Sequence, residues 1–189
     1  MKHIVSVSLG SSTRDHRVEM ELLGEKYLIE RIGMDGDLHK LKKTIEQLDG
    51  KVDAMGLGGI TMLFPVGERT YFLRSAKPLM KTAQTTPIVD GTELKMVLEK
   101  QVIFDLDQQG VVPIRRKKVL LTVAFDRYSM AQAFAELGCE LSCGDLVFSF
   151  GLPFLLRGFK SFHRVARTLA PVVCLLPFAM LYPTGTKEE

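Results

Sequence analysis

Three short segments of the sequence carry side chains that could bind or transform a small polar molecule. The first spans residues 10–16 and brings hydroxyl, guanidinium, carboxylate and imidazole groups together. Ser11 and Ser12 can bond to the hydroxyls of a polyol, and Arg14 can hold a carboxylate with its guanidinium fork. We predict that these three residues bind substrate. The alternative is an ordinary hydrogen-bonded surface loop.

The second segment is a glycine cluster, Gly56, Gly58 and Gly59, which follows a predicted strand. Closely spaced glycines let backbone amides approach a phosphate, so we predict that these three bind a phosphate-bearing cofactor. Such a site normally continues into a helix, whereas residues 61–65 do not resemble a helix start. Tight packing of the backbone is therefore the alternative.

The third segment joins a short predicted strand to a predicted helix through Gly91. Ligands of open α/β sheets bind at the carboxyl ends of strands, where this arrangement leaves backbone amides free. Asp90 could accept a proton from a substrate hydroxyl and Lys95 could hold or relay charge, so we predict these two as catalytic. The alternative is a capped helix with a solvated lysine. Asp126 and Asp145 are weaker candidates at other strand ends.

Other chemistries find little support in the sequence. It contains no serine-hydrolase elbow, P-loop, zinc-protease or kinase signature. Cys139 and Cys143 are spaced C-x3-C without a second pair, so we predict two buried small side chains and no metal site. The first residues lack the features of a secretion signal, and an odd set of three cysteines suits reduced thiols. We therefore predict a cytoplasmic location.

The composition is that of a globular protein with a substantial core, since 46% of the 189 residues are hydrophobic and 25% are charged. The net charge of +3 resides in residues 151–189, while residues 1–150 carry 20 charges of each sign. A neutral body gives no electrostatic reason to bind nucleic acid. The expected partner is a small molecule, and self-association into a homo-oligomer is compatible with the sequence.

The elements that position these segments begin with three predicted strands, two of them in a hairpin, in residues 3–9, 16–22 and 26–32. Val18, Met20 and Leu22 alternate with charged residues and are expected to face the core. Next, Asp37 is expected to cap a helix and Gly50 to end it, because apolar residues between them recur with helical spacing.

From residue 37 onward, predicted helices and strands alternate. A long helix over residues 93–108 is expected to bury Leu94, Leu98 and Val102. Residues 145–150 are expected to form a strand. This order predicts an α/β fold with a mixed, mostly parallel sheet, antiparallel N-terminal strands and hairpins, and helices packed on the sheet.

The composition changes near residue 150, so we predict an α/β domain in residues 1–150 and a helical extension in residues 151–189. Within the extension, residues 154–170 form an amphipathic helix with a basic side, which either docks on the domain or lies on a membrane surface. Residues 168–186 carry no charge, but three prolines interrupt them and disfavour a helix that crosses a bilayer.

Several distinctive segments run through essentially the whole chain, namely SVSLGSSTRDH, ERIGMDGD, DGKVDAMGLGGI, TPIVDGTELK and GDLVFSFGLP. Together they resemble a group of bacterial, Firmicute-type proteins known as quinate 5-dehydrogenases. Members of that group continue beyond the point where this sequence stops. The chain therefore resembles the N-terminal part of such a protein.

The resemblance implies an NAD- or NADP-dependent oxidation of a quinate hydroxyl to the ketone of 3-dehydroquinate. In that reading the glycine cluster meets the cofactor and the loop of residues 10–16 holds the substrate. Quinate and shikimate dehydrogenases also carry a fuller glycine turn and a lysine–aspartate pair, which Lys95 and Asp90 match in chemistry but not in motif. A non-catalytic domain that binds a small anion or a polyol acid is the alternative function.

Overall fold

The computed structural model describes residues 1–176, and most of the uncharged stretch 168–186 lies outside the described residues. Contacts between residues divide the described chain into two compact units. The first unit comprises Met1–Leu63, Phe72–Gly91 and residues 174–176, and the second comprises Phe64–Tyr71 and Thr92–Val173. This division differs from the boundary that the sequence predicted at residue 150.

The secondary structure of the described residues alternates between strands and helices. The strands are β1 (Lys2–Ser8), β2 (His16–Leu22), β3 (Glu25–Gly33), β4 (Ala54–Gly58), β5 (Leu63–Val66), β6 (Arg69–Phe72), β7 (Ile88–Val89), β8 (Lys118–Leu121), β9 (Glu140–Cys143) and β10 (Leu156–Arg157). The helices are α1 (Leu38–Leu48), α2 (Lys77–Met80), α3 (Thr92–Leu94), α4 (Lys100–Gln108), α5 (Tyr128–Glu136), α6 (Asp145–Phe148) and α7 (Phe159–Val173). A π-helical turn, Lys95–Glu99, joins α3 to α4, and short 3₁₀ turns occupy Ser12–Arg14 and Arg74–Ala76.

A five-stranded mixed sheet forms the first unit, with the strands in the order β2-β3-β1-β4-β7. Strand β1 is parallel to both of its neighbours, and β4 is parallel to β7. Strands β2 and β3 form the antiparallel hairpin at one edge. The α/β class and the mostly parallel sheet with an antiparallel hairpin are therefore confirmed.

Helix α1 packs against β1 in the first unit. Asp37 caps the helix, because its carboxylate accepts the backbone N–H groups of the first turn. Leu41 and Ile45 of the helix and Val5 and Val7 of β1 are fully buried. Alternate residues of a strand point to opposite faces, so Ser6, between the two valines, faces away from this core.

The second unit contains a three-stranded sheet in the order β10-β9-β8, in which β8 and β9 are parallel. Helices α5 and α7 pack together, and Tyr128 and Phe162 lie in the core that they share. Helix α7 is the predicted amphipathic helix, and it buries Phe162, Ala166 and Ala170. Within residues 1–176, none of the helices has the length and hydropathy needed to cross a membrane.

Two predictions about which residues face the core are wrong. Every residue of β2 is exposed, including Val18, Met20 and Leu22, because β2 lies at the edge of the sheet and contacts chiefly β3. Residues Leu94, Leu98 and Val102 are also exposed. The side turned toward the rest of the unit carries Lys95 and Glu99, whose ion pairs are described below, and the buried Ile103.

The predicted strand at residues 145–150 is also wrong, because its first four residues form α6. The carboxylate of Asp145 accepts the backbone N–H groups of Ala124 and Phe125 at 3.1 and 2.7 Å. Gly144 stands just before the helix, where a Cβ would lie 2.6 Å from the Phe148 ring. The long-range hydrogen bonds of Asp145 favour a turn of helix over the strand that the apolar composition indicated.

Candidate functional site

The carboxyl ends of β1 and β4 form the topological switch point of the first sheet. After β1 the chain passes β3 and enters β2 on one side, and after β4 it continues to β7 on the other. Ser8 ends β1 directly beside Gly58, which ends β4. In open α/β sheets ligands bind where the connections diverge in this way. The first two predicted segments lie here, since residues 10–16 follow β1 and the glycine cluster ends β4.

Small residues form the face of the sheet that leads to this point. Ser6 and Ser8 of β1 lie beside Gly56 and Gly58 of β4. A Cβ at Gly58 would lie 2.7 Å from the Cβ and 2.8 Å from the Oγ of Ser8, so only glycine is accommodated there. At Gly56 a Cβ would lie 3.9 Å or more from Ser6, which is ordinary contact. Tight backbone packing, the alternative to phosphate binding for the glycine cluster, therefore applies to Gly58 but not to Gly56.

The loop of residues 10–15 is fastened to the end of β3. Its backbone passes so close to Gly33 that a Cβ there would lie 2.5 Å from the carbonyl carbon of Ser11. Asp15 Oδ1 accepts the Gly33 N–H at 2.5 Å and an Arg31 Nη1 proton at 3.2 Å. Arg31 Nη1 also donates to the Ser11 carbonyl at 2.9 Å. These bonds hold the loop in one arrangement over the sheet.

Two guanidinium groups converge on Gly10, at the start of this loop. A Cβ at Gly10 would lie 2.8 Å from Arg14 Nη2, 3.1 Å from Arg31 Nη2 and 3.5 Å from Ser8 Oγ. Ser8 Oγ accepts the Gly10 N–H at 3.2 Å and an Arg31 Nη2 proton at 3.0 Å. The point thus combines two cationic groups with a largely buried hydroxyl, a combination suited to oxygen-rich ligands.

Carboxylates offset the positive charge of the two arginines. Asp15 forms the ion pair with Arg31, and Asp35 Oδ1 accepts the Ser12 N–H at 2.6 Å. That hydrogen bond to the backbone holds the pKa of Asp35 below its ordinary value. The site therefore offers donors and acceptors side by side and carries little net charge. Hydroxyl groups, which both donate and accept, match such a surface.

The predicted substrate residues have different roles in this geometry. Arg14 reaches Gly10, as described. Ser11 Oγ accepts the Thr13 N–H at 3.2 Å, so it caps the 3₁₀ turn. Sequence reasoning missed Ser8 and Arg31, although Arg31 lies within one of the distinctive segments.

The glycine cluster does not lead into a helix. Gly59 has a φ of +71°, and the chain then continues into β5. The positive end of a helix, on which a dinucleotide pyrophosphate normally rests, does not follow these glycines. The glycine cluster therefore lacks this one feature of a dinucleotide phosphate site, and binding of NAD or NADP by Gly56, Gly58 and Gly59 stays a prediction.

The predicted catalytic Asp90 lies in the first unit and binds the segment that follows the glycine cluster. Its Oδ2 accepts the backbone N–H groups of Met62 and Leu63 at 2.6 and 3.3 Å. The carboxylate thereby fixes the path between β4 and β5. Its catalytic role stays a prediction.

The predicted catalytic Lys95 lies in the second unit, at the start of the π-helical turn. Its Nζ donates to both carboxylate oxygens of Asp126, at 3.3 and 3.4 Å, just beyond the end of β8. Arg127 pairs with Glu99 and with Asp126. Ser129 Oγ donates to the Lys95 carbonyl at 3.2 Å. Asp126, a weaker candidate from the sequence, thus becomes the partner of Lys95 in a network of partly buried charges.

The cysteines of the described chain are all free. Cys143 is buried, and burial raises the pKa of its thiol to about 12. Cys139 is half-buried and donates to the Ile114 carbonyl. Among residues 1–176, no group of His, Cys, Asp and Glu side chains is arranged to hold a metal ion.

Comparison with known families divides the chain almost where the structure does. Residues 3–90 match the family described as Domain of unknown function (DUF8753). Residues 93–189, more than half of the chain, match the family described as Domain of unknown function (DUF8754). No curated protein matches the chain. The candidate site at the carboxyl ends of β1 and β4 falls within the first match, and the Lys95 network falls within the second.

Proposed function

We propose that this chain, which belongs through its second half to the family Domain of unknown function (DUF8754), binds a small hydroxylated carboxylic acid in its first half. The proposed site is the switch point of the first sheet, with quinate as the expected example of the ligand. The observation that carries the proposal is the convergence of Arg14 and Arg31 on Gly10, beside the hydroxyl of Ser8.

The chemistry of the site favours such an acid over a polyphosphate. A guanidinium group can pair with the single carboxylate of the ligand, and the position of Arg14 Nη2, 2.8 Å from where a Cβ at Gly10 would lie, supports Arg14 in this role. Two aspartates offset the two arginines, so a pyrophosphate would meet too little positive charge. The hydroxyls of the ligand would instead find both donors and acceptors in the loop.

Isothermal titration calorimetry with quinate tests this proposal. Arg14→Gln removes the cation and keeps a polar side chain, and we expect it to weaken binding about tenfold or more, as the loss of a charged hydrogen bond does. Arg69→Gln is the matched control, because Arg69 is exposed on β6 in the second unit. Absence of quinate binding to the wild-type chain, or equal binding by both variants, would contradict the proposal.

A second candidate is the dehydrogenation that the resemblance implies, and the pairing of Lys95 with Asp126 favours it. Oxidation of a secondary alcohol removes a hydride from carbon and a proton from oxygen, and an amino group fixed by a carboxylate can exchange that proton. A nicotinamide cofactor would accept the hydride. Mixing the protein with quinate and NAD⁺ or NADP⁺ should then generate reduced nicotinamide, and Lys95→Met should abolish it. Binding of quinate without turnover would leave the first proposal alone.

We also propose a cytoplasmic location. Cys139, Cys143 and Cys174 are all unpaired, as in proteins of reducing compartments. Fractionation of cells that express the tagged chain tests this directly. Recovery with a secreted or membrane fraction would contradict it.

A further inference from the structure

Strand β2 is an open edge of the first sheet. It ends the strand order, and among residues 1–176 no strand pairs with its outer side. All seven of its residues, His16–Leu22, are exposed. A row of unpaired backbone groups of this kind is a template for another strand.

The turn that closes the hairpin determines which backbone groups point outward. Leu22 lies opposite Glu25, so the loop contains two residues, Leu23 and Gly24, and both have positive φ angles. Such a type I′ turn closes on a hydrogen-bonded pair, and hydrogen-bonded pairs alternate along an antiparallel ladder. The backbone groups of residues 17, 19 and 21 therefore point away from β3.

The side chains of β2 are sorted by face, as in a strand that has a partner. Val18, Met20 and Leu22 share one face and are 40, 40 and 50% exposed, while the charged residues share the other. Charges on an edge strand normally discourage pairing. Here, however, their order makes the strand complementary to itself.

We propose that a second copy of this chain pairs with β2, antiparallel and about a two-fold axis that passes beside Val18. In this register Arg17 of each copy lies opposite Glu19 of the other, which gives two ion pairs of opposite charge. Val18 meets Val18, and His16 meets Met20, on the other face. The outward N–H and C=O groups of residues 17 and 19 complete the ladder, and the two five-stranded sheets join into one.

The charge of the strand favours this occupant over a nucleic acid or an anionic membrane. Arg17 is the one Lys or Arg in β2, against the two glutamates Glu19 and Glu21. Opposite charges across a strand pair stabilise it, and like charges destabilise it. A second copy supplies both partners at once because the interface is isologous.

Sedimentation equilibrium of the full chain over a range of concentrations tests the proposal by exchanging charges. We expect a dimer for the wild type. Glu19→Arg places like charges opposite each other at two sites and should weaken dimerisation about tenfold or more. Arg17→Glu should do the same. The double variant carrying Arg17→Glu and Glu19→Arg restores opposite charges and should recover the dimer.

The controls separate an interface effect from loss of folding. Arg17 also pairs with Glu30 within the chain, a contact that Glu19→Arg keeps and that Arg17→Glu and the double variant both lose. Rescue by the double variant therefore reports on the interface alone. Lys43→Glu, on the exposed side of α1, makes an equal change of charge away from the edge and should leave the dimer unchanged. A wild-type monomer at every concentration, or a dimer that none of the exchanges alters, overturns the proposal.

Discussion

Two glycines on one face of β4 should respond in opposite ways to the same substitution. At Gly58 a new Cβ would lie 2.7 Å from Ser8 Cβ and 3.1 Å from Ser8 Cα, whereas at Gly56 it would lie 3.9 Å or more from any neighbour. The methyl group of an alanine at position 58 would therefore lie about 0.7 Å closer to Ser8 Cβ than the 3.4 Å at which ordinary contact begins. Rotation of the Ser8 side chain cannot relieve this, because neither Cβ nor the backbone moves when χ1 changes. Overpacking of this kind costs about 1–3 kcal/mol.

We expect Gly58→Ala to lower the free energy of unfolding by about 2 kcal/mol. Gly56→Ala should be neutral or stabilising by up to about 1 kcal/mol, because alanine restricts the unfolded chain and fits the strand. Urea denaturation followed by circular dichroism measures both changes. An unchanged slope of the free energy of unfolding against urea concentration shows that the shift of the midpoint reflects stability alone. Adding Ser8→Gly to Gly58→Ala removes the closest atoms and should recover part of the loss. Equal stabilities for the two alanine variants would refute the packing described for the switch point.

Three further substitutions test other parts of the structure. Leu23 holds a φ of +52° in the β2–β3 turn, so Leu23→Asn should raise the unfolding free energy by about 1 kcal/mol, measured by denaturation; an unchanged or lower value would contradict the turn. Asp49 accepts the backbone N–H groups of residues 84–86, which lowers its pKa. The ionised Asp49 carboxylate should stabilise the fold fully above its ordinary pKa of 3.8, and this stabilisation should be lost as the pH falls through the lower folded-state pKa. Asp49→Asn should therefore be less stable than wild type at pH 7, and the difference should vanish in acid. A difference independent of pH would argue against that carboxylate's role. The Tyr128 hydroxyl lies 2.6 Å from His163 Nδ1, within hydrogen-bond distance. Tyr128→Phe should lower the free energy of unfolding, measured by thermal denaturation, by about 1 kcal/mol. An unchanged value would show that this hydrogen bond contributes nothing to stability.

Local signals in the sequence predicted the elements that depend on neighbouring residues. The cap at Asp37 and the apolar spacing of α1 predicted that helix, because capping and burial act within a few turns. The hairpin of β2 and β3 followed from alternation and a glycine turn. The strand-end position of the candidate loop was also predictable, since it requires only that a strand precede it.

The remaining features depend on contacts between distant parts of the chain. Alternation in β2 indicated a buried face, but only the order of strands in the sheet decides that β2 lies at an edge. Apolar spacing indicated that Leu98 is buried, yet the ion pairs of Lys95 and Glu99 with residues 126 and 127 turn the other side of the helix inward. Arg31 joins the site because β3 lies next to β1, a register that no local pattern encodes.

Amide chemical shifts during a titration with quinate test the central claim most directly. The account predicts that the perturbed amides cluster at Ser8, Gly10, Arg14, Gly58 and Gly59, and that Arg14→Gln removes the perturbation while the protein stays folded. Unchanged spectra at saturating quinate, or shifts confined to residues distant from the ends of β1 and β4, would contradict it.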